Sequence, residues 1–190
     1  MPEPVELGLP VPRATLALLH AGDYVLLSGP VYTARDAAHE RLLGKLEATG
    51  ELRYDLAGQT LFYAGPTPPA AGRPVGAVGP TTARRMDAAT PALLRAGVVA
   101  TIGKGARSEA VRRACVETGS VYLAAVGGAA ALLATHVTAV EPVAWDDLGT
   151  EALVRMTLCR FPAFVAIDVE GLDLYASAPA EWRAAQEPLS

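Results

Sequence analysis

The stretch Val98-Val99-Ala100-Thr101-Ile102-Gly103-Lys104-Gly105-Ala106-Arg107-Ser108, carried on to Val121-Tyr122-Leu123-Ala124-Ala125-Val126, decides the fold class. Residues 98–102 are a short apolar run stopped by Gly103, which reads as a buried strand. Ser108 can cap a helix running to about Thr118. Residues 121–126 are a second apolar run of strand type. Strand, helix and strand in close succession indicate an α/β chain.

The alternation continues outward on both sides. Residues 5–20 carry an amphipathic pattern, Ala21-Gly22-Asp23 is a turn, and Tyr24 to Gly29 reads as a strand. Arg35 to Gly50 reads as a helix, with Ala37, Ala38, Leu42, Leu43 and Leu46 at helical spacing and Gly50 suited to its end. Thr60 to Ala64 is the next strand, and a Pro/Gly-rich exposed loop follows from Gly65 to Pro74. Val75 to Val78 reads as a strand. Thr82 to Ala96 reads as a helix capped by Thr81 or Thr82 and divided by Pro91. Gly127-Gly128 opens a small-residue helix. Residues 137–145 are extended, and 148–156 form a short helix or turn. Phe164–Asp168 and Leu172–Tyr175 make a hairpin around Glu170-Gly171. The expectation is one domain over 1–190 with a short flexible tail near 178–190.

Composition narrows the function classes. Of 190 residues, 51% are hydrophobic, enough for a substantial core, which argues against disorder. The net charge of -4 gives no reason to expect nucleic-acid binding, so any basic site is local. Cys115 and Cys159 cannot by themselves build a four-cysteine metal site or hold an iron–sulfur cluster, so no metal ligand is assigned to this chain. They read as two buried free thiols in a reducing cytosol. Met1-Pro2-Glu3-Pro4 lacks the pattern of a secretory signal. The apolar stretch from Ala124 to Val140 is too rich in small residues for a membrane span and reads as a packed helix. The expected location is the cytoplasm, with no membrane contact.

Local cations do stand out. Arg35 and His39 are four apart and share a helix face at that helix's start. Helix N-termini favour anions, and an arginine fork suits a carboxylate. A solvated first turn with Asp36 on the dipole explains the same residues. Gly79-Pro80-Thr81-Thr82-Ala83-Arg84-Arg85 places two cations at a helix start, where they need an anion or plain solvation. Ile102-Gly103-Lys104-Gly105 lies at the carboxyl end of a strand, where α/β ligands bind. It lacks the P-loop spacing. His20 and His136 read as structural.

No motif is specific alone; their conjunction is more informative. Ala34-Arg35-Asp36-Ala37-Ala38-His39, Tyr63-x-Gly65-Pro66, Gly79-Pro80-Thr81-Thr82-x-x-Arg85-Met86-Asp87, Ile102-Gly103-Lys104-Gly105, Gly127-Gly128-Ala129-Ala130 and Leu148-Gly149-x-Glu151-Ala152 resemble the class I fumarase family. The likeness is to its β subunit or C-terminal domain, and it runs from about Val25 to Tyr175. Position 150 is Thr where the family pattern has an apolar residue.

The resemblance implies a three-layer β/β/α swivelling-type domain with a mixed sheet. It implies a hydro-lyase that adds water reversibly across a dicarboxylate double bond, as from fumarate to L-malate. It implies a [4Fe-4S] cluster held by the cysteines of an α subunit, and a hetero-oligomer active only with that partner. A homodimer of β alone is a further possibility. Arg35, Arg85 and Lys104 look like substrate contacts, and Thr81 like a contact and the candidate base. Lys104 also joins the expected catalytic set. Asp36 and His39 either orient Arg35 or help in proton transfer, the first being preferred. Tartrate or another dicarboxylate, and a non-catalytic anion-binding or assembly module, stand as alternatives.

Overall fold

The computed structural model describes residues 3–186. Seven strands and six α-helices follow one another as β1 (Val5–Gly8), α1 (Arg13–Leu16), β2 (Tyr24–Thr33), α2 (Asp36–Thr49), β3 (Thr60–Phe62), α3 (Thr90–Arg95), β4 (Ala100–Gly103), α4 (Glu109–Thr118), β5 (Val121–Ala124), α5 (Ala130–Ala134), β6 (Val137–Ala144), β7 (Leu153–Ile167) and α6 (Leu174–Gln186). Single 3-10 turns lie at Ala83–Met86 and Asp146–Glu151. The fold is mixed α/β, as the sequence alternation indicates.

Strands β1 to β5 pair in parallel, β1 with β2, β2 with β3, β3 with β4 and β4 with β5. The long strand β7 runs antiparallel to both β2 and β5, and β6 pairs with β7. The pairings β2–β3–β4–β5–β7–β2 therefore close on themselves. Successive strand residues point to opposite faces, and here both faces are buried. Val25, Leu27, Phe62, Ile102, Leu123, Phe161 and Val165 fill one core. The rings of Phe62 and Phe161 meet edge-on at 5.3 Å, although β3 and β7 are not neighbours in the sheet. Tyr32, Leu61, Tyr63, Tyr122 and Ile167 enter a second core with Ala38 and Leu42 of α2, Leu93 and Leu94 of α3, and Val111 and Cys115 of α4. Burial on both faces explains why these strands are continuous apolar runs.

Several elements differ from the sequence expectation. Val75 to Val78 is not a strand. Val75 and Val78 are buried, and the Val78 amide bonds to the Ala130 carbonyl instead of to a sheet neighbour. The helix expected over 82–96 is two pieces, a 3-10 turn and α3, with Pro91 in the first turn of the second, where its missing N–H costs nothing. The hairpin after β7 is a turn leading into α6. One Asp168 carboxylate oxygen accepts the Glu170 and Leu172 amides and the other accepts the Ala21 amide, so this side chain ties the turn back to the loop before β2. The helix over 124–140 shrinks to α5, since Val137, Thr138 and Val140 suit β6 better than a helix. Helix α6 covers residues 174–186, so the start of the expected tail is helical, and its end at 187–190 lies outside the described residues.

Candidate active site

The carboxyl ends of the four parallel strands β2 to β5 share one edge, and the singled-out cations follow directly from them. Arg35 comes two residues after β2, Gly65 three after β3, Lys104 one after β4 and Gly127 three after β5. Ligands of α/β sheets collect at such an edge.

Arg35 is the residue before α2, in extended conformation. Its guanidinium lies 3.4 Å from the Glu151 carboxylate and 4.0 Å from Asp36. Glu151 also accepts the Ala37 amide at 3.0 Å, so it supplies the acceptor that the first turn of α2 lacks. A Cβ built on Gly65 would lie 2.7 Å from Arg35 Nη1 and 2.9 Å from the Thr150 carbonyl oxygen. Only glycine lets the arginine lie across this strand end.

Arg85 sits in the 3-10 turn and donates to Asp36 from Nε at 2.9 Å, with its Nη2 2.8 Å from the other carboxylate oxygen. The anion that Arg85 demands at this helix start is thus Asp36, from the neighbouring helix. Thr81 is fixed by its backbone. Its amide donates to the Tyr63 carbonyl at 2.6 Å, its carbonyl accepts the Lys104 amide at 3.1 Å, and the Ala83 amide returns to the Lys104 carbonyl at 2.9 Å. Residues 81–83 so extend the parallel ladder past β4. A Cβ on Gly103 would meet the Ala83 methyl and the Tyr63 ring at 2.9 Å each, which explains the glycine before Lys104.

Arg35 and Arg85 are matched by Glu151 and Asp36, whereas Lys104 has no carboxylate partner among the described residues. Its side chain lines a cleft of about 290 Å³ with Ala125, Gly127, Phe164 and Tyr175. The Tyr175 hydroxyl accepts the Gly105 amide at 3.0 Å. A free ammonium against apolar walls is a favourable place for a carboxylate with a short carbon chain.

His39 stands apart from this edge. It is buried under α2, with its ring edge-on to Tyr63 at 5.1 Å. Nδ1 lies 2.9 Å from the Arg35 carbonyl, which can only accept, so Nδ1 carries the proton and Nε2 is a bare acceptor with no partner. Burial pushes its pKa from 6.5 down to about 4, only partly offset by the Arg35 carbonyl. The ring is therefore neutral at pH 7. Asp36 bonds to Arg85 and His39 to the Arg35 backbone, so each has its own partner. His136 bonds through Nδ1 to the Cys159 carbonyl, a structural contact.

Two residues of consequence escaped the sequence reading. Glu151 lies inside the Leu148–Ala152 motif without an assigned role. Arg107 follows Gly103-Lys104-Gly105, and its wholly buried side chain bonds to Asp87 at 2.7 Å and Thr90 at 2.9 Å. Asp87 in turn accepts the Ser108 amide at 2.6 Å. The expected Ser108 side-chain cap is not made; Asp87 supplies the acceptor at this helix start. Burial opposes the Arg107 charge, but Tyr63 and Asp87 outweigh it and hold the guanidinium above its ordinary range.

The cysteines do not fit an iron–sulfur cluster in this chain. Cys115 is buried, and burial pushes its thiol up to about 12. Cys159, expected from the sequence to be buried, is instead exposed on β7. Among the described residues no group of three or more His, Cys, Asp and Glu could hold a metal ion, and no helix is long and apolar enough to cross a membrane.

The family model described as fumarase C-terminus matches residues 2–178. The anaerobic class I fumarate hydratase of Escherichia coli (strain K12) is 38% identical over 151 residues, covering 78% of this chain and 28% of that protein. Fumarate hydratase 2 of Leishmania major is 35% identical over 166 residues, covering 86% and 29%. The L(+)-tartrate dehydratase subunit beta of Escherichia coli (strain K12) is 32% identical over 177 residues, covering 90% of this chain and 86% of the subunit. The chain thus spans less than a third of the fumarate hydratases and most of the tartrate dehydratase β subunit.

Proposed function

The chain belongs to the fumarase C-terminus family, and from that membership we propose that it is the β subunit of a heteromeric hydro-lyase. Its strand edge anchors a dicarboxylate for reversible hydration, fumarate to L-malate being the preferred reaction. The observation that carries this reading is the row of Arg35, Thr81, Arg85 and Lys104 along one edge of the parallel strands. In this reading Lys104 receives one substrate carboxylate, because no protein carboxylate among those described competes for it. Arg35 and Arg85 offer their remaining N–H donors to the other carboxylate or to a hydroxyl, while Glu151 and Asp36 keep their planes fixed. Thr81 positions the carbon that loses a proton and is the candidate for receiving it, with the cations nearby stabilising an alkoxide. Asp36 and His39 orient Arg85 and Arg35, and no proton is routed through the buried imidazole.

A [4Fe-4S] cluster on the partner α subunit would supply the Lewis acid for the departing hydroxyl. The two cysteines here do not fit that group, so no step of this chain passes through it. The finer fold reading, a swivelling β/β/α domain, is supported by the closed circuit of strands with the helices α2, α3 and α4 gathered in one of its two cores. The expected setting is the cytoplasm.

One observation favours a second substrate. The tartrate dehydratase β subunit is similar over 90% of this chain, against 78% for the anaerobic class I fumarate hydratase. Tartrate dehydration on the same edge is the alternative.

Arg35→Ala and Thr81→Ala test the reading in the assembled enzyme. Each is expected to abolish turnover while leaving the melting temperature of this subunit close to wild type, since both residues sit at the surface edge of the fold. Full turnover in either variant removes that residue from the mechanism.

A further inference from the structure

Arg107 is the most elaborately held polar side chain of the interior, and no substrate contact accounts for it. It bonds to Asp87, Thr90, Tyr63 Oη and Thr101, the last two at 3.4 Å. Its guanidinium carbon lies over two rings, 5.2 Å from the centre of Tyr63 and 4.8 Å from that of Tyr122. Each of these partners leads to the strand edge. Asp87 follows Arg85 by two residues. Thr90 donates to the Met86 carbonyl at 2.8 Å, at the end of the same 3-10 turn. The Tyr63 carbonyl takes the Thr81 amide. The Tyr122 hydroxyl donates to the Gly105 carbonyl, next to Lys104.

We propose that Arg107 is a positioning residue that, through Asp87 and Tyr63, sets Thr81 and Arg85 against Lys104. A buried ion pair is not needed for stability, because apolar side chains of like volume serve as well or better. What a planar guanidinium adds is fixed direction, five donors in one plane set against two aromatic rings. Here that plane joins the segment 81–87 to the segment 104–108. The two segments carry three of the proposed substrate contacts, so the claim rests on the hydro-lyase reading for its catalytic consequence but not for its geometry.

The test uses Arg107→Met with Asp87→Asn, which removes both charges yet leaves an acceptor for the Ser108 amide. In the full chain alone, amide hydrogen exchange at Thr81, Ala83 and Lys104 is expected to quicken by roughly tenfold or more relative to the amides of β7. In the enzyme assembled with its α subunit, kcat is expected to fall roughly tenfold or more with a smaller change in KM, and Arg107→Lys to recover part of the loss. Exchange that rises uniformly across the chain, or does not rise at those three amides, overturns the proposal. So does a charge-free pair with wild-type kcat. If the wild-type complex hydrates no dicarboxylate, the hydro-lyase reading fails, and the exchange measurement still decides the clamp.

Discussion

The Glu151 carboxylate stands between two groups at the start of α2, 3.4 Å from the Arg35 guanidinium and 3.0 Å from the Ala37 amide. It acts both as the missing acceptor of a helix end and as the rest that holds Arg35, a proposed substrate contact. Glu151→Ala leaves an amide unsatisfied and an arginine unguided. It is expected to cost about 1 kcal/mol of stability and to raise KM for the dicarboxylate several-fold. Glu151→Gln keeps an acceptor and is expected to recover most of the stability. Thermal unfolding and KM of the two variants, taken together, check this.

Gly65 is the complementary constraint. A methyl there meets Arg35 Nη1 at 2.7 Å and the Thr150 carbonyl at 2.9 Å. The arginine can swing away, but the carbonyl belongs to the turn that presents Glu151. Gly65→Ala is expected to lose about 1–3 kcal/mol and to imitate the binding defect of Arg35→Ala. A variant that binds substrate with wild-type KM contradicts the packing described at this strand end.

Much of this was legible beforehand, for reasons that particular residues make clear. The strands β4 and β5 and helix α4 stand out because Ala100, Ile102, Val121 and Leu123 form short apolar runs, because Gly103 ends the first of them, and because Ser108 marks a helix start. Arg35, Thr81, Arg85 and Lys104 were found through motif wording, and the structure brings them to one edge. The partners of those residues were not visible. Asp36 pairs with Arg85 across 49 positions, and Glu151 with Arg35 across a longer span. Such contacts depend on the closed strand circuit, which no local pattern encodes. Arg107 carries no motif of its own, since nothing near it in sequence reveals the Tyr63 and Tyr122 rings it lies over. The hairpin after β7 was misread because Leu172 and Leu174 mimic a strand, while the turn is set by Asp168.

His39 gives the fold a dependence on acid. Its native pKa of about 4 lies below the ordinary 6.5, so the unfolded chain binds more protons between those values. The stabilising contribution is full above about pH 6.5 and is lost as the pH falls toward 4. The slope for one proton is about 1.4 kcal/mol per pH unit. His39→Gln is expected to flatten the stability curve across that interval. Denaturant unfolding at pH 7, 6 and 5 measures it, and identical slopes in the two proteins would refute the assignment.

The two thiols are expected to behave oppositely. Cys159 is exposed, whereas Cys115 is buried with its thiol pushed up to about 12. Reactivity belongs to an accessible thiolate. In the folded chain at pH 8 a thiol-specific alkylating reagent should modify Cys159 promptly and leave Cys115 untouched until the protein is unfolded. Peptide mass analysis reads this directly, and early labelling of Cys115 would mean that the core around α4 opens far more readily than its packing indicates.

The central claim is that this strand edge is one half of a dicarboxylate site completed by another subunit. The most direct measurement is anaerobic turnover of fumarate, and then of tartrate, by this chain, by the proposed α partner after iron–sulfur reconstitution, and by the two combined. The account predicts negligible hydration by either alone and rapid turnover by the mixture, abolished by Thr81→Ala in this chain. A formed, cluster-loaded complex that is silent on the whole dicarboxylate panel would contradict it and leave a non-catalytic module. Full turnover by the α partner alone would do the same.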